Sequence, residues 1–258
     1  MGRSPSKKSD RATRPPPVKT RPAVLITGAS GGIGRAISRV FAAVGWHVGI
    51  HYGRDTAAAE TTLRQVVKCG GTGTLYQADI RRSDDIERMI EDWRRCVPIT
   101  SAFICNAGIA ESGLVVRHAE HVWNEVIDTN LTGTFRCLRA MAPVLLNDGG
   151  GSIVVIGSHT GFHGAVGQAA YATSKAGLIG LVKTAAWEWG AQNIRINLLL
   201  PGWQKTRLTE GIFPEDTGWL DHALGRPASL DEMARTVLHL AQLRDVSGQV
   251  WSCDSRHL

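Results

Sequence analysis

Most of the chain alternates short apolar runs with stretches in which apolar residues recur every three or four positions. The run Ala23-Val24-Leu25-Ile26-Thr27 predicts a strand, followed by a glycine-rich turn and a helix from Ile33 to about Val44. The same alternation predicts a strand over His47–Tyr52, a helix over Thr56–Cys69 and a strand over Thr74–Gln77. A helix follows over Asp84–Cys96, with Ser83 as its N-cap. Ser101–Cys105 and Ser152–Ile156 are further apolar strands, separated by helical stretches near 120–128 and 131–147. A long helix spans about Ala169–Ala191, and a strand over Ile194–Leu200 stops at Pro201-Gly202. The pattern closes with a helix over Leu230–Leu243 and a strand over Ser247–Ser252. Apolar runs of this kind, continuous rather than alternating, belong to strands covered by helices on both faces. The prediction is an α/β fold: one doubly wound sheet of seven parallel strands flanked by helices. The stretch from Gly202 to about Ser229 is long for a connection and is a candidate lid.

Charge separates a tail from this body. Residues 1–22 hold seven basic groups and one acid, and the remaining 236 residues hold 22 of each sign. The net charge of +6 therefore belongs to the tail. Rich in Pro, Ser and Lys/Arg, the tail has too little apolar surface to fold alone and reads as a disordered extension to a domain over 23–258. Weak contact of the basic arm with nucleic acid or a membrane is the alternative to a solvated extension, and nucleic acid is not the expected partner of a body whose net charge is zero. No apolar run is long enough to span a membrane, and no secretory leader is visible. Five scattered cysteines without C-x-x-C spacing argue against a disulfide framework or a zinc site and fit a cytoplasmic protein.

Five groups of residues carry candidate chemistry. Thr27-Gly28-Ala29-Ser30-Gly31-Gly32-Ile33-Gly34 follows the first strand and opens a helix. Glycines there let backbone amides approach a pyrophosphate, and the helix N-terminus adds partial positive charge. The spacing is neither G-x-G-x-x-G nor a Walker sequence. Tyr171 and Lys175 are four residues apart and so share a helix face. An ammonium beside a phenol favours phenolate, which predicts a lowered Tyr171 pKa and a usable acid/base. Ser158 stands at the end of the fifth strand, where open α/β sheets bind ligands, although a turn cap is an equal reading of it alone. Asn106-Ala107-Gly108 ends the fourth strand, and Asn130 lies between two helical stretches. His118-Ala119-Glu120-His121 lacks metalloprotease spacing, and Gly157-Ser158-His159-Thr160-Gly161 is not a hydrolase elbow. His159 and His163 read as polar contacts of a loop.

Together, in order and spacing, these residues resemble the short-chain dehydrogenase/reductase family over about residues 22–253. Gly167-Gln168-Ala169-Ala170-Tyr171-Ala172-Thr173-Ser174-Lys175-Ala176-Gly177 looks like its 3-oxoacyl-acyl-carrier-protein reductase branch. The resemblance implies a Rossmann-type domain and a carbonyl reductase or alcohol dehydrogenase. Tyr171 would protonate the carbonyl oxygen, Ser158 would hydrogen-bond it, and Lys175 would hold the nicotinamide ribose and acidify Tyr171. Asn130 would position a water linking Lys175 to solvent. The cofactor would lie along Gly28, Ser30, Gly31, Gly32, Ile33 and Gly34, with Asp79 and Ile80 at the adenine. Asn106, Ala107, Gly108, Pro201 and Gly202 would line it, and Thr206 would hold the carboxamide.

NADP(H) is preferred over NAD(H), because Tyr52-Gly53-Arg54 replaces the acid of NAD-specific relatives; nearby Asp55 and the missing basic residue at Gly31 count against this. The implied substrate is a 3-oxoacyl thioester, with a free small-molecule ketone, alcohol or sugar as alternative. A non-catalytic dinucleotide-binding protein is the reading from another class. Arg136 and Arg139 match positions that meet an acidic carrier protein, but Trp187 replaces another. A homotetramer is implied, with Trp187 pointing away from the site into an interface. Asp254-Ser255-Arg256 departs from the glycine-rich end of relatives, and Trp203, Phe213 and Trp219 make the candidate lid aromatic.

Overall fold

The computed structural model describes residues 21–210 and 222–256. The basic tail, apart from its last two residues, and the lid residues Phe213 and Trp219 lie outside the described residues. Seven strands form one parallel sheet in the order β3-β2-β1-β4-β5-β6-β7. They are β1 Ala23–Ile26, β2 His47–Tyr52, β3 Thr72–Gln77, β4 Ala102–Cys105, β5 Gly151–Ile156, β6 Ile194–Leu200 and β7 Val250–Ser252. The helices are α1 Gly32–Ala43, α2 Thr56–Lys68, α3 Ser83–Cys96, α4 Glu120–Ile127, α5 Gly133–Asn147, α6 Thr160–His163, α7 Ala169–Trp189 and α8 Leu230–Gln242.

Successive side chains of a strand point to opposite faces, so each inner strand feeds two cores. In β1, Leu25 packs with Phe103, Leu138 and Leu178 under α3, α5 and α7, whereas Val24 and Ile26 pack with Ile37, Val66 and Met233 under α1, α2 and α8. That is the physical reason the inner strands are apolar throughout. The edge strand β3 has one neighbour, and its Thr72-Gly73-Thr74-Leu75 stretch is partly exposed. The strand order reverses between β1 and β4, so a crevice opens where the loops after these strands part.

Several boundaries differ from the pattern. Ser83 is the first residue of α3 rather than its cap; Arg82 holds the N-cap position and no side chain caps the helix there. The candidate last strand shortens to Val250–Ser252, because residues 247–249 turn to bond β6. No break separates the helical stretches near 120–128 and 131–147. A π-helical turn, Asp128–Thr132, joins α4 to α5. The wider turn carries Asn130, which is buried, and such insertions have no signature in apolar spacing.

Candidate active site

The turn after β1 is tied down from three sides. Thr27 Oγ1 accepts the amides of Asn106 and Ala107 at 3.0 and 3.1 Å. Asn106 Nδ2 donates to the carbonyls of Thr27 and Gly28, both at 3.0 Å. His51 Nδ1 accepts from the Gly28 amide at 3.0 Å while its Nε2 donates to the Ala78 carbonyl at 3.1 Å. This fixes a neutral imidazole, and burial pushes its pKa down to about 4. Gly28 has φ +63°, and a Cβ there would stand 2.7 Å from Ala107 Cα. Gly32 packs against Thr206, and Gly34 against the Gly28 carbonyl. The N-terminus of α1 has no side-chain cap and no acid in its first turn. Its free amides, beside Ser30, Gly31 and Ile33, fit an anionic pyrophosphate.

The loops after β4 and β5 meet the Tyr171–Lys175 face of α7. Lys175 is buried, and its Nζ donates to the Ile156 carbonyl at 2.8 Å and lies 5.7 Å from the centre of the Tyr171 ring. Ser158 Oγ accepts the Thr160 amide at 3.2 Å and shares a hydrogen bond with Tyr171. Asn130 exchanges two bonds of 2.8 Å with the backbone of Ile109, and its Nδ2 also donates to Ser174 Oγ at 3.1 Å. Through these bonds the π turn clamps the Asn106–Gly108 loop to α7. A Cβ on Gly108 would sit 3.1 Å from Asn130 Oδ1. The structure corrects the expected acidity of Tyr171. Burial raises its pKa, opposed by the hydrogen bond to Ser158, and burial also lowers Lys175 to about 8. Desolvation penalises the charged forms of both groups.

Ser158 and Tyr171 line a cavity of about 290 Å³ shared with Trp203, Gln168, Thr206 and Arg256. Asp254 stands behind this wall with a fully buried side chain. His159 Nε2 lies 2.9 Å from both Asp254 Oδ1 and Ser252 Oγ, and Arg256 Nε donates to Asp254 Oδ2 at 2.8 Å. Burial opposes its ionisation, yet the bonds from His159 and Arg256 prevail and hold the carboxyl far below the usual range. The departure at the C-terminus is thus part of the site wall, a placement that local sequence does not signal.

At the other end of the crevice, Tyr52 is buried while Gly53 and Arg54 are exposed. Asp55 caps α2, accepting the Ala58 amide at 2.9 Å. Asp79 is paired with Arg81, whose Nη1 reaches Glu125 Oε1 at 3.1 Å. The Arg81 guanidinium holds the Asp79 carboxyl below its ordinary range despite partial burial. The Ile80 side chain belongs to the core against Gly133, so its backbone alone is offered to the crevice. Pro201 and Gly202 close the far side, the latter with φ +68° against Asp254. Sequence reasoning missed His51, Arg81 and Ser174, which hold other site residues in place. Arg136, expected as a docking cation, is half-buried and paired with Asp128 Oδ1 at 2.7 Å.

A family model described as short chain dehydrogenase matches residues 22–217. The chain is 32% identical over 238 residues to a 3-oxoacyl-[acyl-carrier-protein] reductase of Synechocystis sp., covering 91% of this chain and 96% of that protein. It is 35% identical over 188 residues to a reductase of the same name from Staphylococcus epidermidis, covering 73% and 77%. The solved structure of levodione reductase superposes with a TM-score of 0.86 at 25% identity, covering 91% of this chain and 96% of that one. The seven-stranded parallel sheet agrees with these matches, and the chain belongs to the short-chain dehydrogenase family of oxidoreductases, which use a nicotinamide dinucleotide.

Proposed function

We propose that this protein is an NADP(H)-dependent reductase of a 3-oxoacyl compound, forming the 3-hydroxy product. The observation that supports the reading is that Ser158 and Tyr171 line one cavity with Ile33 of α1, whose N-terminus is uncapped, while buried Lys175 lies against the Tyr171 ring. The bound nicotinamide would supply the hydride. Tyr171 gives its proton to the carbonyl oxygen, and Ser158 donates a hydrogen bond to that oxygen as negative charge develops. Lys175, kept as a cation, favours the phenolate that remains on Tyr171. Both Nδ2 hydrogens of Asn130 are engaged, so a water held by Asn130 to relay the proton must donate to one of its oxygens. Gly28, Gly31, Gly32 and Gly34 keep side chains away from the pyrophosphate, and Thr206 stands against Gly32 where the carboxamide would lie.

A second reading, reduction of a free low-mass ketone rather than a carrier-bound one, is favoured by the Arg136–Asp128 pair and by Trp187, which is exposed where a cation would serve docking. The free cysteines Cys69, Cys96, Cys105, Cys137 and Cys253 suit the reducing cytoplasm. Oxidation of NADPH with acetoacetyl-carrier protein, and with a low-mass acetoacetyl thioester, tests both readings. Activity with either should fall by at least ~10²-fold in Tyr171→Phe while NADPH binding, read by fluorescence, survives. Near-native turnover in that variant would remove Tyr171 from the mechanism. A gain in kcat/KM with the carrier that Arg136→Ala abolishes would favour the carrier.

A further inference from the structure

We infer that Arg256 is a specificity-determining residue that pairs with a carboxylate on the substrate, away from the carbonyl that is reduced. The inference rests on the second reading of the proposed reductase activity, a free low-mass ketone, and names that substrate as a keto acid whose carboxyl is not esterified.

Arg256 lines the same cavity as Ser158 and Tyr171, with its side chain 18% exposed. Its guanidinium has two edges that can each take a carboxylate. The Nε and Nη2 edge is bound by Asp254 Oδ2. Nη1 has no hydrogen-bond partner among the described residues. Among the described residues no Asp or Glu lines the cavity, and there the charge presented to a ligand is the cation, with its counter-ion behind it. His159 supplies a second observation. It is 4% exposed, its Nε2 is committed to Asp254, and its buried Nδ1 has no partner. One wall thus holds a buried His159 Nδ1 without a partner and an Arg256 Nη1 that no described residue engages.

A merely structural ion pair explains this arrangement less well. Apolar side chains of similar volume would close such a wall at no greater cost than a buried pair. Instead the surroundings are shaped to keep the pair. His222 Nε2 adds a third approach to Asp254, at 3.7 Å. A Cβ on Gly202 would lie 2.7 Å from Asp254 Cβ, so the Pro201-Gly202 turn leaves room for the carboxylate that orients Arg256. The rest of the cavity is mixed, with Ala110, Ala165, Val166 and Leu208 as apolar surface that accommodates a short carbon chain between the two ends.

The test compares 3-oxobutanoate, 4-oxopentanoate and 5-oxohexanoate with their methyl esters, for the wild type, Arg256→Met and Arg256→Gln. The readout is the acid-to-ester ratio of kcat/KM, which a general loss of folding or activity does not move. The wild type should prefer the acid by roughly 10–100-fold at one chain length. Either variant should bring that ratio close to 1. A wild type without acid preference at any length, or a ratio unchanged in both variants, overturns the inference. If no compound is reduced, the reductase reading fails separately. Calorimetry with pentanoate and the NADP-loaded protein then decides: binding lost in Arg256→Gln supports the inference, and no binding to the wild type overturns it.

Discussion

Lys175, proposed to favour the Tyr171 phenolate, is a cation buried at the expense of stability. It is wholly buried, and its ammonium has one hydrogen bond, to the Ile156 carbonyl. Burial lowers its pKa from 10.5 to about 8. Between those two values the unfolded chain binds the proton and the folded protein does not, so stability rises with pH across that window. Below pH 8 both states are charged and the full cost of burying the cation is present. Lys175→Met removes this cost along with the activity. The variant's stability relative to wild type should therefore fall by about 2–3 kcal/mol between pH 7 and pH 10.5. Denaturant unfolding of the two proteins at both pH values measures it. A difference that is flat with pH would mean that the folded protein does not hold Lys175 desolvated. Its spacing from Tyr171 was legible in the sequence. The degree of burial was not, because it comes from the loops after β4 and β5 closing over α7.

At the scale of elements, the proposed preference for NADP(H) rests on the junction of β2 and α2. In sequence Asp55 opposes the reading of Arg54 as a phosphate contact, since a carboxylate repels the 2′-phosphate. In the fold Asp55 is the N-cap of α2, with its oxygen on the Ala58 amide. There the helix N-terminus neutralises part of its charge, and Arg54 stays exposed at the strand end. Arg54→Ala should lower kcat/KM with NADPH roughly tenfold more than with NADH, an exposed charge contact being weakened by solvent. Steady-state assays with both cofactors decide it; an equal effect on the two would assign the preference elsewhere. The π turn at Asp128–Thr132 is the converse case. The two flanking helices are readable from their apolar spacing, whereas the widened turn that delivers Asn130 depends on bonds to Ile109 and Ser174 across the fold.

The whole molecule leaves apolar surface uncovered on α5 and α7. A groove of about 670 Å³ between them is lined by Phe135, Leu146, Leu181 and Trp189, and Phe135 and Leu146 are 44% and 51% exposed. Trp187 is 86% exposed on the side of α7 away from the core stripe of Leu178, Val182 and Ala185. We expect these exposed apolar residues to be covered in an assembly of subunits. Light scattering at micromolar concentration should give the mass of a homotetramer. Trp187→Glu should shift the protein to smaller species, by placing a charge where a partner must be desolvated. A monomeric wild type would overturn the assembly. Among the described residues no helix is long and apolar enough to cross a membrane.

The sequence by itself determined the order of elements, the parallel sheet and the placing of Tyr171 and Lys175 on one helix face. These depend on local quantities: apolar periodicity, glycines where the backbone turns tightly, and two residues one helical turn apart. Only the tertiary structure decided what each group experiences. It turned Ser83 from cap to first helical residue, paired Arg136 with Asp128, and raised rather than lowered the pKa of Tyr171. It also brought Asp254 and Arg256 from the end of the chain to His159, 95 and 97 residues away in sequence. Burial and charge pairing depend on which segments meet in space, and the free energy of an ionisable group follows the water it has lost and the partner it has gained. Neither quantity is written in the spacing of residues along the chain.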